Sequence, residues 1–500
     1  MKLYLKYLLL LLLFPLFFLV HGINENFGLV PTQVAISLLI KYLLISTGIY
    51  LITCLFIRQP RKSFITSFII LLIYFFFGAI KDGLPFDVSY KFILPLVALI
   101  TVALFIIIRK SHKDFSIPGQ YISYLLILLL AVEAFSFLYN AYKHKDRTQD
   151  FGDRDNKQLS NLSTNSSSLS NPDIFWLVFD MYPSSSSLKK IYDFNNPLDS
   201  SLIQKGFYVA AGARSNYNYT HYSLVSSLDM SYLDEFTDGA IVTAKDMVRG
   251  NYSLKENNVT KYLLDKGYNI VNYSIYDLKG FPSKGLNTFR NNEGALIDHQ
   301  TLYERVSADI GWNFMYGFNK SKHETDSIFS IRSVEKLDSS YKSFLSESQG
   351  AIKSVSASPK PVFYLLHVML PHEPYIYKAD GTLQYKGYNS DPALFLDQLK
   401  YTNTVAESVV DNILQSQKDR KTVILLQGDH GYKFDQSDKH FKSESCNIFY
   451  AVYTSEKQYG QWYPTISGVN SFRVLFNETF KEKFPLLGDS SMNLEYRKYK

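Results

Sequence analysis

The stretch Lys421-Thr-Val-Ile-Leu-Leu-Gln-Gly-Asp-His-Gly431 decides how the chain is read. Val423 to Leu426 is an unbroken apolar run, and a turn signal closes it. That pattern predicts a strand buried on both faces, as at the centre of a parallel sheet. The strand stops at Asp429-His430-Gly431, which sets a carboxylate and an imidazole side by side. Ligands of open α/β sheets gather at the carboxyl ends of strands, and Asp with neutral His suits a divalent transition metal. The same residues also suit an Asx-type turn with a satisfied histidine. The corner by itself does not choose between the two.

From Pro172 onward the pattern alternates strand and helix. Apolar runs at Ile174 to Phe179, Phe207 to Ala211, Tyr268 to Tyr273, Val362 to Leu370 and Ile448 to Tyr453 read as strands. Lys261 to Lys266 and Pro392 to Ser416 read as helices, the second through Leu394, Leu396, Leu399, Val405, Val409 and Ile413. Such alternation implies an α/β fold with a mainly parallel sheet. Three runs lead into polar residues: Asp180, His372 and the Asp429-His430 pair. Strand ends of one parallel sheet share an edge, so these residues are expected to converge. Thr220 opens a predicted helix whose apolar face is Leu224, Val225 and Leu228. A hydroxyl there caps a backbone N–H or acts as a nucleophile beside the positive helix end. His367 lies inside an apolar run and reads as a satisfied core histidine. His221, among Tyr217, Tyr219 and Tyr222, reads as a cleft wall or equally as a surface patch. Arg214 and Lys378 are phosphate-binding candidates for which solvent exposure is the default.

The N-terminal part is of another kind. Leu3 to Val20, Ala35 to Ile57, Phe64 to Ile80, Phe92 to Ile108 and Tyr121 to Leu138 are apolar segments, each close to the ~20 residues that cross a bilayer. Arg58, Arg61 and Lys62 lie in one connecting loop and Arg109, Lys110 and Lys113 in another, whereas His21 to Pro31 has no Lys or Arg. The positive-inside rule puts the N-terminus and both basic loops in the cytoplasm and everything after Leu138 outside; Lys143, Lys145 and Arg147 run against it. A cleaved signal peptide at the first segment leaves the later part outside as well. Lys41 and Glu133 sit within apolar segments, where an ionisable residue marks a functional site or packs against another helix. Residues 141–171, rich in Ser, Asn, Asp and Lys, read as a polar tether. The expected division is thus 1–140 membrane helices, 141–171 linker and 172–500 catalytic domain.

The 500 residues exceed one typical domain. A net charge of +6, with no basic stripe, excludes nucleic acid as a partner. The two cysteines, Cys54 and Cys446, fall in unlike regions and make neither a disulfide nor a zinc-finger spacing.

Pro172-Asp-Ile-Phe-Trp-Leu-Val-Phe-Asp180, Asn216-Tyr-Asn-Tyr-Thr220-x-x-Ser-Leu, Leu370-Pro-His-Glu-Pro-Tyr375 and Gln427-Gly-Asp-His-Gly431 together resemble the landmarks of the alkaline phosphatase/sulfatase superfamily. The five-segment layout before them is similar to lipoteichoic acid synthases and phosphoethanolamine transferases. The resemblance implies Asp180, Asp429 and His430 as metal ligands. It implies Thr220 as a nucleophile that also touches the metal, and His372 and His440 as substrate-binding histidines, with His372 also catalytic. Two departures stand out. Thr220-His-Tyr-Ser-Leu lacks the Cys/Ser-x-Pro-x-Arg context from which formylglycine is made, which turns the chemistry from sulfate toward phosphate. The first strand ends Asp180-Met181, where lipoteichoic acid synthases tend to use Glu. The implied activity is transfer of a phospho-alcohol headgroup from a membrane phospholipid to an envelope glycan or lipid acceptor. It would use one divalent ion, manganese or zinc, and a phosphothreonine intermediate. The alternatives are a phosphodiesterase or phosphatase that uses water, and a catalytically degenerate envelope scaffold.

Overall fold

The computed structural model describes residues 2–85, 88–143, 151, 171–286, 293–307, 328–385, 392–432 and 441–497. Most of the 141–171 linker, and His440, lie outside the described residues. The chain forms two compact units. The first takes in 1–147 and, from far along the chain, 291–325, a return that a linear division leaves out; the second is 148–290 and 326–500.

The first unit carries five helices long and apolar enough to cross a membrane: Lys2–Glu25, Thr32–Ile57, Pro60–Asp82, Tyr90–Lys110 and Ser116–Lys143. Each contains one of the apolar segments read from the sequence. The first is interrupted at Leu12. It packs inside the bundle, Phe18 lying against Tyr42 and Phe75 at ring-centroid distances of 5.5 and 4.7 Å. The two basic loops meet: Arg61 pairs with Asp114, and Lys62 Nζ donates to the Ser111 carbonyl at 2.6 Å. Glu133 accepts from Asn24 Nδ2 at 2.6 Å and is bonded to His21 Nδ1 at 2.8 Å, which staples the first helix to the last. Residues 293–307 pack on the helix ends remote from the basic loops. Ile297 joins the apolar core of the bundle. Gly78 donates its N–H to the Gln300 carbonyl at 2.8 Å, and a Cβ on Gly78 would stand 3.0 Å from Gln300 Cα. Asp298 receives Lys41 Nζ at 2.7 Å and the Tyr42 hydroxyl at 2.6 Å, and Arg305 pairs with Asp82.

The second unit is built on a sheet. Its strands are β1 (Asp173–Phe179), β2 (Tyr208–Val209), β4 (Asn269–Tyr273), β5 (Val362–Val368), β6 (Thr422–Gly428) and β7 (Tyr450–Thr454), in the order β2-β7-β6-β1-β5-β4. A separate small pair is β3 (Ile241–Val242) with β8 (Glu495–Tyr496). The four strands β6, β1, β5 and β4 are mutually parallel; β7 and β2 run antiparallel at one edge. All residues of β1, β5 and β6 are buried, which is why they read as near-continuous apolar runs. Register puts Phe179 level with Val368 on one side and Gly428 on the other. Three strands therefore end together. At the opposite end Asp173, fully buried, pairs with Arg420 Nε at 2.5 Å and accepts the Val362 N–H at 2.7 Å, tying β1 to β5. Helix Pro392–Ser416 buries Phe395, Leu399, Thr402, Ala406, Val409 and Ile413 at three- and four-residue spacing, the single face that a helix lying on a sheet must bury.

Candidate active site

The site is assembled at the carboxyl edge of β1, β5 and β6. Asp180 follows β1, and its N–H donates to the Val368 carbonyl at 2.9 Å, which continues the ladder for one more residue. Met181 then adopts φ +59°, a left-handed conformation disfavoured for a side chain with a Cβ. The turn brings the Met181 N–H to Asp429 Oδ1 at 2.8 Å. The His430 N–H donates to the same oxygen at 2.8 Å. Asp429 Oδ1 is thus satisfied by backbone, while Oδ2 is buried with no hydrogen-bond partner among the described residues. Gly428 permits this close approach, because a Cβ there would collide with the Tyr182 carbonyl.

Asp180 Oδ1 is likewise buried without a partner among the described residues. His430 Nδ1 lies 3.0 Å from the Gly431 carbonyl. A carbonyl only accepts, so Nδ1 carries the proton and Nε2 is the basic atom. That atom lies 3.8 Å from Asp180 Oδ1 and 3.8 Å from Asp429 Oδ2. On β5, His367 pairs in register with Val178, two residues before Asp180, and so shares its face. Its Nε2 is 3.5 Å from Asp180 Oδ2. Neither ring nitrogen has a hydrogen-bond partner among the described residues, which corrects the reading of His367 as a satisfied core histidine. Asp180, His367 and Asp429 offer donor atoms within 4.8 Å of one another. Burial alone would raise the Asp180 carboxyl, but the facing imidazoles of His372, His367 and His430 outweigh it and hold it well below the usual carboxylate range.

Thr220 is the first residue of helix Thr220–Asp229, with Tyr219 in the N-cap position, so its hydroxyl is not the cap. It is half-buried. One turn on, the Ser223 hydroxyl donates to the Asp429 carbonyl. Residues three apart share a helix face, so Thr220 lies on the face turned to the corner. The loop before it is locked from both sides. Asn216 Oδ1 accepts the Val469 N–H at 2.7 Å, and Asn218 Oδ1 the Leu494 N–H at 2.8 Å. His372 lies four residues past β5, with Nδ1 2.7 Å from the Glu373 carbonyl. Tyr217, Tyr219 and Tyr222 are buried in the core, not a surface patch. His221 lies against Tyr276, whose ring also stacks on His367. Arg214 and Lys378 are exposed. The structure thus brings together Asp180, His367, Asp429 and His430, with the Thr220 helix docked on them.

Two orphaned carboxylate oxygens that face buried imidazole nitrogens are costly in themselves and fit a divalent cation. A family model described as sulfatase matches residues 195–467, more than half of the chain. With the sheet and corner described, the protein is an enzyme of the alkaline phosphatase superfamily. The chain belongs to its sulfatase family. Among solved structures, the integral membrane lipooligosaccharide phosphoethanolamine transferase A (EptA) from Neisseria meningitidis is similar over 96% of this chain and 95% of its own, at 10% identity and a TM-score of 0.37. The C-terminal periplasmic domain of EptC from Escherichia coli covers 63% of this chain and 83% of its own, at 13% identity and a TM-score of 0.37. That of phosphoethanolamine transferase EptC from Campylobacter jejuni covers 63% and 90%, at 12% identity and a TM-score of 0.37. A search of curated proteins found no match.

Proposed function

We propose that this membrane enzyme moves a phospho-alcohol headgroup from a phospholipid to a hydroxyl of an envelope glycan or lipid, through a phosphothreonine at Thr220. The observation that carries it is the docking of the Thr220 helix, through Ser223, on a corner whose buried carboxylate oxygens Asp180 Oδ1 and Asp429 Oδ2 are unpartnered among the described residues. Asp180, Asp429 and His430 would hold one divalent ion, manganese or zinc, beside Thr220. When bound, that ion supplies positive charge that favours the ionised hydroxyl and the developing phosphate charge.

Thr220 Oγ attacks phosphorus, forming a P–O bond as the P–O bond to diacylglycerol breaks. The proton leaving Thr220 passes to His372 Nε2 and on to the diacylglycerol oxygen. The contact of Nδ1 with the Glu373 carbonyl keeps a proton on Nδ1 and makes Nε2 the exchanging atom. The positive end of the Thr220 helix favours the phosphate oxygens. An acceptor hydroxyl then attacks the phosphothreonine, giving its proton back through His372 and restoring Thr220. His440 has a substrate-binding place in this reading. Five apolar helices with basic loops on one side support a bilayer setting with the catalytic unit outside the cytoplasm.

The test uses full-length protein in lipid with headgroup-labelled phospholipid. Thr220→Ala is expected to lower turnover by about a thousandfold or more and to abolish label on the protein. Wild-type turnover by that variant would end the proposal. A second reading, hydrolysis, shares every residue; release of free headgroup with no modified acceptor would identify it.

A further inference from the structure

His367 is the residue of this edge for which the reaction just described has no use. It is 1% exposed, inside a strand whose other residues are apolar or aromatic. Burying an imidazole with both nitrogens unsatisfied is destabilising, because its lost water contacts are not replaced. Nothing on its own strand offsets that cost, and the Tyr276 ring closes one side of it. Asp180 Oδ2 lies 3.5 Å from its Nε2. An N–H···O bond brings such atoms to about 2.9 Å. Two ligands of one tetrahedral ion, each bound at about 2.1 Å, stand about 3.4 Å apart. The observed spacing matches the second case. So do the separations of 3.8 Å from His430 Nε2 to Asp180 Oδ1 and to Asp429 Oδ2.

We propose that His367 is a direct ligand of the divalent ion, through Nε2, standing with Asp180 and Asp429 and adding a second imidazole to the set of Asp180, Asp429, His430 and the Thr220 hydroxyl. This rests on the metal reading of the site. It gives the ion a ligand from each of the three neighbouring strands β1, β5 and β6, so binding clamps their ends together. It also predicts preference for zinc or another imidazole-seeking metal over magnesium or calcium, which favour all-oxygen sites.

The experiment uses full-length detergent-solubilised protein, stripped with chelator and reloaded with zinc. Zinc affinity is measured by competition with a chromophoric chelator, and the ligands are counted by X-ray absorption. Wild type should show two imidazoles per zinc. His367→Gln should show one, with affinity reduced by about a hundredfold. His367→Cys should restore much of that affinity and add a sulfur neighbour at about 2.3 Å. A single imidazole in the wild type, or an unchanged count in His367→Gln, overturns the proposal; His367 then only orients Asp180. The wild-type count decides even if neither variant folds. Asp429→Asn separates the two levels of the argument. If it binds zinc as tightly as wild type, the metal site itself is lost; if it loses zinc while the imidazole count is insensitive to His367, only the ligand assignment is.

Discussion

At the residue scale, the corner is held by groups outside the reacting set. Glu444, almost fully buried, receives Ser187 Oγ at 2.6 Å, Asn447 Nδ2 at 2.8 Å and Lys190 Nζ at 2.5 Å. Its own carbonyl lies against Gly431. Burial raises its carboxyl, but the bonds from Lys190, Ser187 and Asn447 prevail and lower it from 4.5 to about 2. A folded value below the unfolded one means stability that is present above pH 4.5 and lost as pH falls toward 2. The stability of wild type over Glu444→Gln, read by denaturant melts, should therefore be full at pH 7 and shrink below pH 4.5. A difference independent of pH would refute it. Asp180, Asp429 and His430 were legible in the sequence because each follows an apolar run that stops abruptly. His367 was not: a histidine within an apolar run looks the same whether satisfied or not, and only the register of β5 against β1 shows what it faces.

At the scale of elements, the strands read from apolar runs are present with shifts of a few residues, and helix Pro392–Ser416 keeps its predicted bounds. The antiparallel direction of β7 was not legible, since side-chain alternation is the same in either direction. Helix Ile328–Val355 also escaped the sequence reading; Ser, Lys and Glu interrupt its apolar spacing, and its packing on the sheet overrides weak local preference. The Asp173–Arg420 pair predicts a measurable element-level effect. Arg420→Met would leave a fully buried carboxylate without its cation and cost about 3 kcal/mol or more, seen as a lowered unfolding midpoint. Asp173→Asn combined with it should recover part of the loss. If Arg420→Met alone leaves the midpoint unchanged, the pair does not hold β1 in place.

At the scale of the molecule, the membrane unit includes a segment from the far side of β4. Asp298 neutralises Lys41, so the charge within that apolar helix has a partner 257 residues further along the chain. Asp298→Asn should lower the melting temperature of the solubilised protein. Lys41→Met on that background should recover part of it, with a coupling of about 1 kcal/mol or more. Additive effects of the two would show that the contact carries no coupling. The same segment explains the placement of Lys41, which the sequence left between a functional role and packing against another element.

Composition and pattern alone determined that the chain has a five-helix apolar half and an α/β half, and that Asp180 and the Asp429-His430 pair follow the ends of apolar runs. These follow from local facts: segment length, apolar periodicity and the residue after each run. The tertiary structure decided the rest. Which imidazole meets which carboxylate depends on strand register, and where residues 293–307 pack depends on contacts hundreds of residues apart. Sequence spacing carries neither quantity, because both are set by the closing of a sheet and a bundle around their cores.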